Sequence, residues 1–223
     1  MQQKIGVLGL GKYSTDFYID QLHKKYHNLK GGFSTFPYLL YQVDFNLLNP
    51  YLPNQFDKLI PTLQEIVLEI EKLPIQKWII PNITLHETFD QLETKIDIIH
   101  PAAIITKYCT SRSIKSLVNF GTKYTMESGY LKSALAKKNI EIHQPEKKDL
   151  FWIDELRTKI YQLKNTSEDL VNFKKLVEKY SINTHVLIAC TELSIISEEI
   201  NSNKVVDIAG LQIDEAIGFQ LKN

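Results

Sequence analysis

The sequence predicts an α/β protein built as two successive sets of strands and helices, and three features carry that prediction. Short apolar runs of strand length alternate with longer segments of helical period. Two of the runs lead into Ile80-Pro81-Asn82-Ile83-Thr84-Leu85-His86 and Leu187-Ile188-Ala189-Cys190-Thr191-Glu192-Leu193. Both stop abruptly at small polar and nucleophilic residues, as a buried strand does when it delivers a reactive loop at its carboxyl end. These two loops are expected to face one another. The strand and helix order also restarts near Ser116, so one set ends where another begins.

In chain order, Lys4–Leu10 reads as a buried strand, Gly11–Thr15 as a tight loop and Asp16–Tyr26 as a helix, which together make a βα unit. Tyr38–Phe45 is the second strand. Leu59, Leu63, Ile66, Val67 and Ile70 fall on one face of a long helix that leads to a third strand at Lys77–Ile80. Beyond Asp97–Pro101 a helix runs to Tyr108, and Ser116–Phe120 is a further strand ending in Gly121-Thr122. Helices are expected over Thr125–Lys137, Leu150–Leu163 and Asp169–Tyr180, strands at Ile140–His143, His185–Ala189 and Lys204–Asp207, and a last helix at Ile213–Leu221. Strands alternating with helices in this manner form parallel sheets. The closing segment is expected to return to the first lobe, so residues 1–105 with 206–223 form one lobe and 106–205 the other.

Composition narrows the function classes. A chain of 223 residues with 43% hydrophobic content can bury a substantial core. Lys plus Arg equals Asp plus Glu at 26 each, so no broad cationic surface supplies the counterion release on which nucleic-acid binding depends, and no nucleic-acid partner is expected. The two cysteines, Cys109 and Cys190, form no CxxC pair, and no signal peptide precedes the first strand; a cytoplasmic protein without disulfide or zinc site is expected. The apolar runs are too short to cross a bilayer, so no membrane partner is expected either.

The opening Gly6-Val7-Leu8-Gly9-Leu10-Gly11-Lys12 nearly spells a phosphate-binding loop, but Tyr13 stands where a Ser or Thr would hold magnesium. Ser14 likewise occupies the third glycine position of a dinucleotide fingerprint, so a turn glycine or a small-anion loop is the reading. Cys190 sits where a buried strand ends, beside Thr191 and Glu192. A helix N-terminus there would lower its pKa and make it a usable base or nucleophile; a buried structural cysteine is the competing reading. His86 could carry a proton or orient a ligand, or be merely capped and satisfied. Asn82, Thr84, Thr122 and Thr125 together are neutral hydrogen-bonders at strand ends, suited to a small carboxylate-bearing ligand.

At this point the residues resemble a known pattern, that of the cofactor-independent aspartate/glutamate racemase family. The opening Ile5–Gly9 strand with Ser14-Thr15 is similar to the family's first strand and loop. Pro81-Asn82-Ile83-Thr84-Leu85-His86 is similar to its P-C-N-T-x-H, Gly121-Thr122-Lys123-Tyr124-Thr125-Met126 to its G-T-x-x-T-M, and Ala189-Cys190-Thr191-Glu192-Leu193 to its G-C-T-E-L. Val206-Asp207 before the last helix matches the closing segment. The resemblance spans nearly the whole chain. It implies two similar α/β lobes, each a mainly parallel sheet flanked by helices, with an active-site cleft between them and no pyridoxal phosphate or metal. One thiolate removes the α-proton and an opposite thiol reprotonates the other face, while Ser14, Thr84, Thr122, Thr125 and Thr191 hold substrate. A homodimer is implied as well.

The chain departs from the pattern at Asn82, which takes the first cysteine's place, and at Ile83, which replaces the neighbouring asparagine. A carboxamide neither takes nor gives a proton usefully near neutral pH, so one base remains. Lys164 stands where the family often has a substrate lysine, with a solvated helix-end lysine as the alternative. No arginine follows the second strand at Val43–Asn46, where the family carries one. The expectation is a PLP-independent amino-acid racemase, one-sided or weak, using Cys190. The alternatives are a decarboxylase or isomerase of a small dicarboxylate that needs only Cys190, similar to the arylmalonate decarboxylases, and a non-catalytic binder of a small carboxylate.

Overall fold

Among the described residues the apolar runs become eight short strands in two parallel four-stranded sheets. The computed structural model describes residues 4–197, 200 and 202–222. The chain divides into two compact units, Met1–Pro101 with Gln212–Asn223, and Ala102–Leu211.

In the first unit the strands are β1 (Ile5–Gly9), β2 (Leu39–Gln42), β3 (Lys77–Ile79) and β4 (Asp97–Ile98), in the order β2-β1-β3-β4. β1 is buried along its whole length, which is why it reads as an unbroken apolar run. Helix α1 spans Lys12–Lys30, four residues further at each end than its period suggested. It starts directly after Gly11 and stops at Gly31, whose φ of 70° lies in the left-handed region that glycine enters without strain. Helix α2 (Phe56–Ile70) presents the five apolar residues named above to the sheet, where they pack with Leu8, Trp78, Ile80 and Phe89. The expected second strand is shorter than its apolar run. Asp44 accepts the Asn46 N–H at 3.0 Å and turns Phe45–Leu47 into a 3-10 turn. A short helix α3 (His86–Phe89) follows β3.

Helix α4 (Pro101–Ser111) leads into the second unit, whose strands are β5 (Ser116–Gly121), β6 (Glu141–His143), β7 (His185–Ala189) and β8 (Val205–Asp207), ordered β6-β5-β7-β8. Strand alternation sends Val118, Phe120, Val186 and Ile188 to one face, against Leu150, Ile153, Leu156 and Ile160 of α7 (Lys147–Tyr161) and Phe173 and Val177 of α8 (Ser167–Ser181). The single helix expected over 125–137 is two, α5 (Lys123–Glu127) and α6 (Gly129–Ala136), because Ser128 between them is extended at φ −68°, ψ 150°. A helix α9 (Thr191–Ser197) follows β7 without an intervening loop.

The last helix, α10 (Ile208–Lys222), begins five residues earlier than its apolar period indicates. Asp207 causes this, since its carboxylate accepts the N–H groups of Ala209 and Gly210 at 3.3 and 3.2 Å. From Gln212 onward α10 is part of the first unit. Gln212 there accepts the Tyr18 hydroxyl at 2.5 Å and donates to the Ile99 carbonyl at 2.7 Å, all within the core.

Candidate active site

Strand order decides where a site can form. In the first unit the chain leaves β1 for the outer strand β2 and then returns to β3 on the other side of β1; in the second it leaves β5 for β6 and returns to β7. The crossovers diverge at β1/β3 and at β5/β7, and a crevice opens beyond the carboxyl ends of such strands. The residues singled out in the sequence follow these four strands: Ser14 after β1, Asn82 and Thr84 after β3, Thr122 and Thr125 after β5, Cys190 and Thr191 after β7.

In the second unit Gly121 and Ala189 are partners in register, so Thr122 and Cys190 are the next residues on adjacent strands. A side chain at Gly121 would strike the Thr125 hydroxyl and come within 3.1 Å of the Ala189 carbonyl, so this position must be glycine for the two loops to close up. Thr122 caps α5 by accepting the Thr125 N–H at 3.0 Å. Thr125 is buried, donates its hydroxyl to the Thr122 carbonyl at 2.9 Å, and has its own carbonyl held by Asn119 at 2.6 Å. These bonds fix the loop after β5, with the Thr125 hydroxyl donated within it. Thr191 remains half-buried.

Cys190 keeps 8% of its surface and packs with Leu193 and Ile188. Its Sγ–H donates to Glu192 Oε2 at 2.6 Å. Burial, then the charge and hydrogen bond of Glu192, raise its pKa well above the ordinary value, opposed by Arg157 and by the Glu192 backbone N–H. This corrects the expectation of a lowered pKa: the group rests as a thiol, a proton donor, and the charge beside it is a carboxylate.

In the first unit Asn82 is half-buried, and its Oδ1 accepts the Leu85 N–H at 3.0 Å, which braces the turn before α3. The Asn82 carbonyl meets His86 Nδ1 at 2.9 Å. His86 is fully buried, edge-on to His100 with ring centroids 5.3 Å apart, and its Nε2 has no partner among the described residues. Burial, with His100 adding to it, lowers its pKa to about 3. Of the two readings of His86, a proton carrier or a satisfied histidine, the sealed ring held neutral and in contact with the Asn82 backbone favours the second. Ser14 donates to the Gly11 carbonyl at 3.0 Å while Thr15 holds the Leu10 N–H at 3.0 Å, and Thr84 is half-buried.

Lys164 lies exposed just past α7, following Leu163 at φ 56°. The cation that the sequence did not reveal is Arg157, on α7, a helix in contact with α9, and its charge acts on Cys190 and Glu192. Its Nε donates to Asp154 Oδ1 at 2.9 Å, and that oxygen also takes the Lys123 N–H at 2.9 Å. Burial works against the Arg157 charge, but Asp154, Cys190 and Glu192 raise its pKa on balance. Its one signal in the sequence is rarity, as the chain has two arginines, Arg112 and Arg157. Among the described residues no group of three or more His, Cys, Asp or Glu side chains could hold a metal ion, and no helix is long and apolar enough to cross a membrane.

This architecture, two parallel four-stranded sheets of like order with helices on their faces, is the aspartate/glutamate racemase fold. Among solved structures, one from Yersinia pestis assigned to the Asp/Glu racemases is 18% identical, with a TM-score of 0.85 over 98% of this chain and 99% of that one. An aspartate racemase homologue from Pyrococcus horikoshii is 19% identical at TM-score 0.82, covering 98% and 99% of the two chains. A glutamate racemase from Francisella tularensis, solved with D-glutamate, is 13% identical at TM-score 0.61, covering 100% of this chain and 82% of that one. No family model and no curated protein matches the sequence.

Proposed function

We propose that the protein is a cofactor-independent racemase of a small amino acid, in which Cys190 handles the proton at the α-carbon. The observation that carries this reading is the Cys190 thiol at the end of β7, 2.6 Å from the Glu192 carboxylate and within electrostatic reach of Arg157. On this reading the sulfur's proton passes to Glu192 Oε2, and the sulfur then takes the α-proton as the C–H bond breaks. The electron pair spreads into the α-carboxylate, where positive charge stabilises it. Returning the proton from sulfur regenerates the starting enantiomer; inversion needs a donor on the other face. The resemblance assigns that second position to Asn82, whose amide is far too weak an acid to give up an N–H proton near neutral pH, so water must supply it slowly.

The thiol's resting protonation also supports a second reading, protonation of a carbanion left by decarboxylation of a small dicarboxylate, which needs one donor only. Incubating each amino-acid enantiomer in deuterated water tests the proposal by mass spectrometry and chiral chromatography. Incorporation of deuterium from one enantiomer with slow inversion is expected; no exchange with any amino acid would refute it.

A further inference from the structure

The second unit carries a cleft of about 480 Å³, within the roughly 300–1,000 Å³ of small-molecule sites. Its wall runs from Asn119 of β5 through α5 and the start of α6 to the end of β6, and takes in neither Cys190, Glu192 nor Arg157. Strand alternation turns Asn119 to the face of the sheet opposite α7 and α8. Asn119 is 1% exposed, and its Nδ2 donates to the Thr125 carbonyl. That leaves Oδ1, an acceptor buried without a partner among the described residues. Such a group is costly and rare, so it marks a place for a donor. The same cleft includes Ser128 and Gly129, where α6 begins. Ser128 makes no capping bond, so the first-turn N–H groups of α6 lack the side-chain acceptor that Thr122 gives to α5. One turn further, Lys132 lines the cleft, a cation with no ion pair among the described residues.

We infer that this cleft is a second binding site, for a small oxyanion that carries hydroxyl groups, such as a polyol phosphate or a hydroxy acid. The α6 N-terminus and Lys132 take the anionic group, since oriented N–H groups and the helix dipole both favour negative charge there. Asn119 Oδ1 accepts a hydroxyl, which an unsubstituted acid cannot offer. Glu127, also on the wall, repels an anion but accepts hydroxyls, so it too favours a hydroxylated ligand over a bare one. His143 is engaged by Glu141 at 3.4 Å and adds little. Asn119 joins this cleft to the candidate active site. The amide that meets the ligand at Oδ1 holds the Thr125 carbonyl with its other end, in the loop whose Thr122 is the neighbour of Cys190 on the adjacent strand. A ligand here therefore steadies that loop without touching the thiol.

The test is calorimetric titration of the full chain with glycerol 3-phosphate and glycerate, each beside its deoxy partner, propyl phosphate and propionate. At least one hydroxylated probe should bind about fivefold tighter than its partner, the effect of one well-placed hydrogen bond. Which pair shows the advantage tells a phosphate site from a carboxylate site. Lys132→Met should weaken both members of that pair about fivefold; the side chain is exposed, so the change leaves the core intact. Backbone hydrogen exchange then locates the ligand. The bound probe should slow exchange over residues 119–132 in wild type, and much less in Lys132→Met at the same concentration. The inference is overturned if no probe binds, if the hydroxyl brings no advantage, if Lys132→Met binds as wild type does, or if protection falls only outside residues 119–144.

Discussion

The buried His86 makes the first unit acid-sensitive in a window that can be worked out. Its pKa is about 3 in the folded protein against 6.5 ordinarily. As pH falls below 6.5 the unfolded chain binds a proton that the folded chain refuses, so stability is present above that pH and is lost on acidification towards 3. Each unit is worth about 1.4 kcal/mol, and between pH 7 and 5 the loss comes to roughly 2 kcal/mol. His185, also lowered by partial burial and by Lys204, adds a smaller share in the same direction. For a chain of this size about 2 kcal/mol corresponds to a fall in Tm of roughly 4–8 °C. His86→Asn places an amide donor near Nδ1 and removes the titration. The vacated volume will cost about 1–3 kcal/mol at any pH, so the informative quantity is the difference in Tm between pH 7 and 5 for each protein. Scanning calorimetry should show the wild type losing several degrees more than the variant. Equal losses would refute the assignment of the acid sensitivity to this ring.

Other outcomes follow from the same geometry. Gly121→Ala should cost about 1–3 kcal/mol by overpacking against Thr125 and the Ala189 carbonyl, and denaturant titration would reveal it. Asp154→Asn turns a charged contact with Arg157 into a neutral one while keeping an acceptor for the Lys123 N–H, and a loss of about 1 kcal/mol of stability is expected by denaturant titration. Asn82→Cys should speed inversion relative to exchange if that position lacks only a proton carrier, and an unchanged ratio counts against the assignment. Lys164→Ala should leave binding within twofold, as its side chain is exposed past the end of α7.

Much of the fold was legible because buried parallel strands write themselves as apolar runs. β1 and β7 appear at nearly their full length, and the loop after each strand of a pair is marked by its polar residues. What the sequence concealed depends on contacts across it. The extended backbone at Ser128 splits a helix that the residue pattern presents as one, and the Asp207 carboxylate starts α10 before its apolar period begins. For His86 both a proton carrier and a satisfied ring stayed open, since nothing local reveals that its ring is sealed. Cys190 looked like a thiolate because the helix after it was in view and the cost of desolvation was not. Arg157 went unnoticed, for only the packing of α7 on α9 brings it to a thiol thirty-three positions away.

The return of α10 to the first unit sets an order on assembly. Residues 102–211 are continuous, so the second unit has all its parts once they have been synthesised. The first has its four strands much earlier, yet the Tyr18 hydroxyl and the Ile99 carbonyl wait for Gln212. During translation the earlier half is therefore finished last, and a stop codon after Leu211 would remove the buried Gln212 that meets both groups.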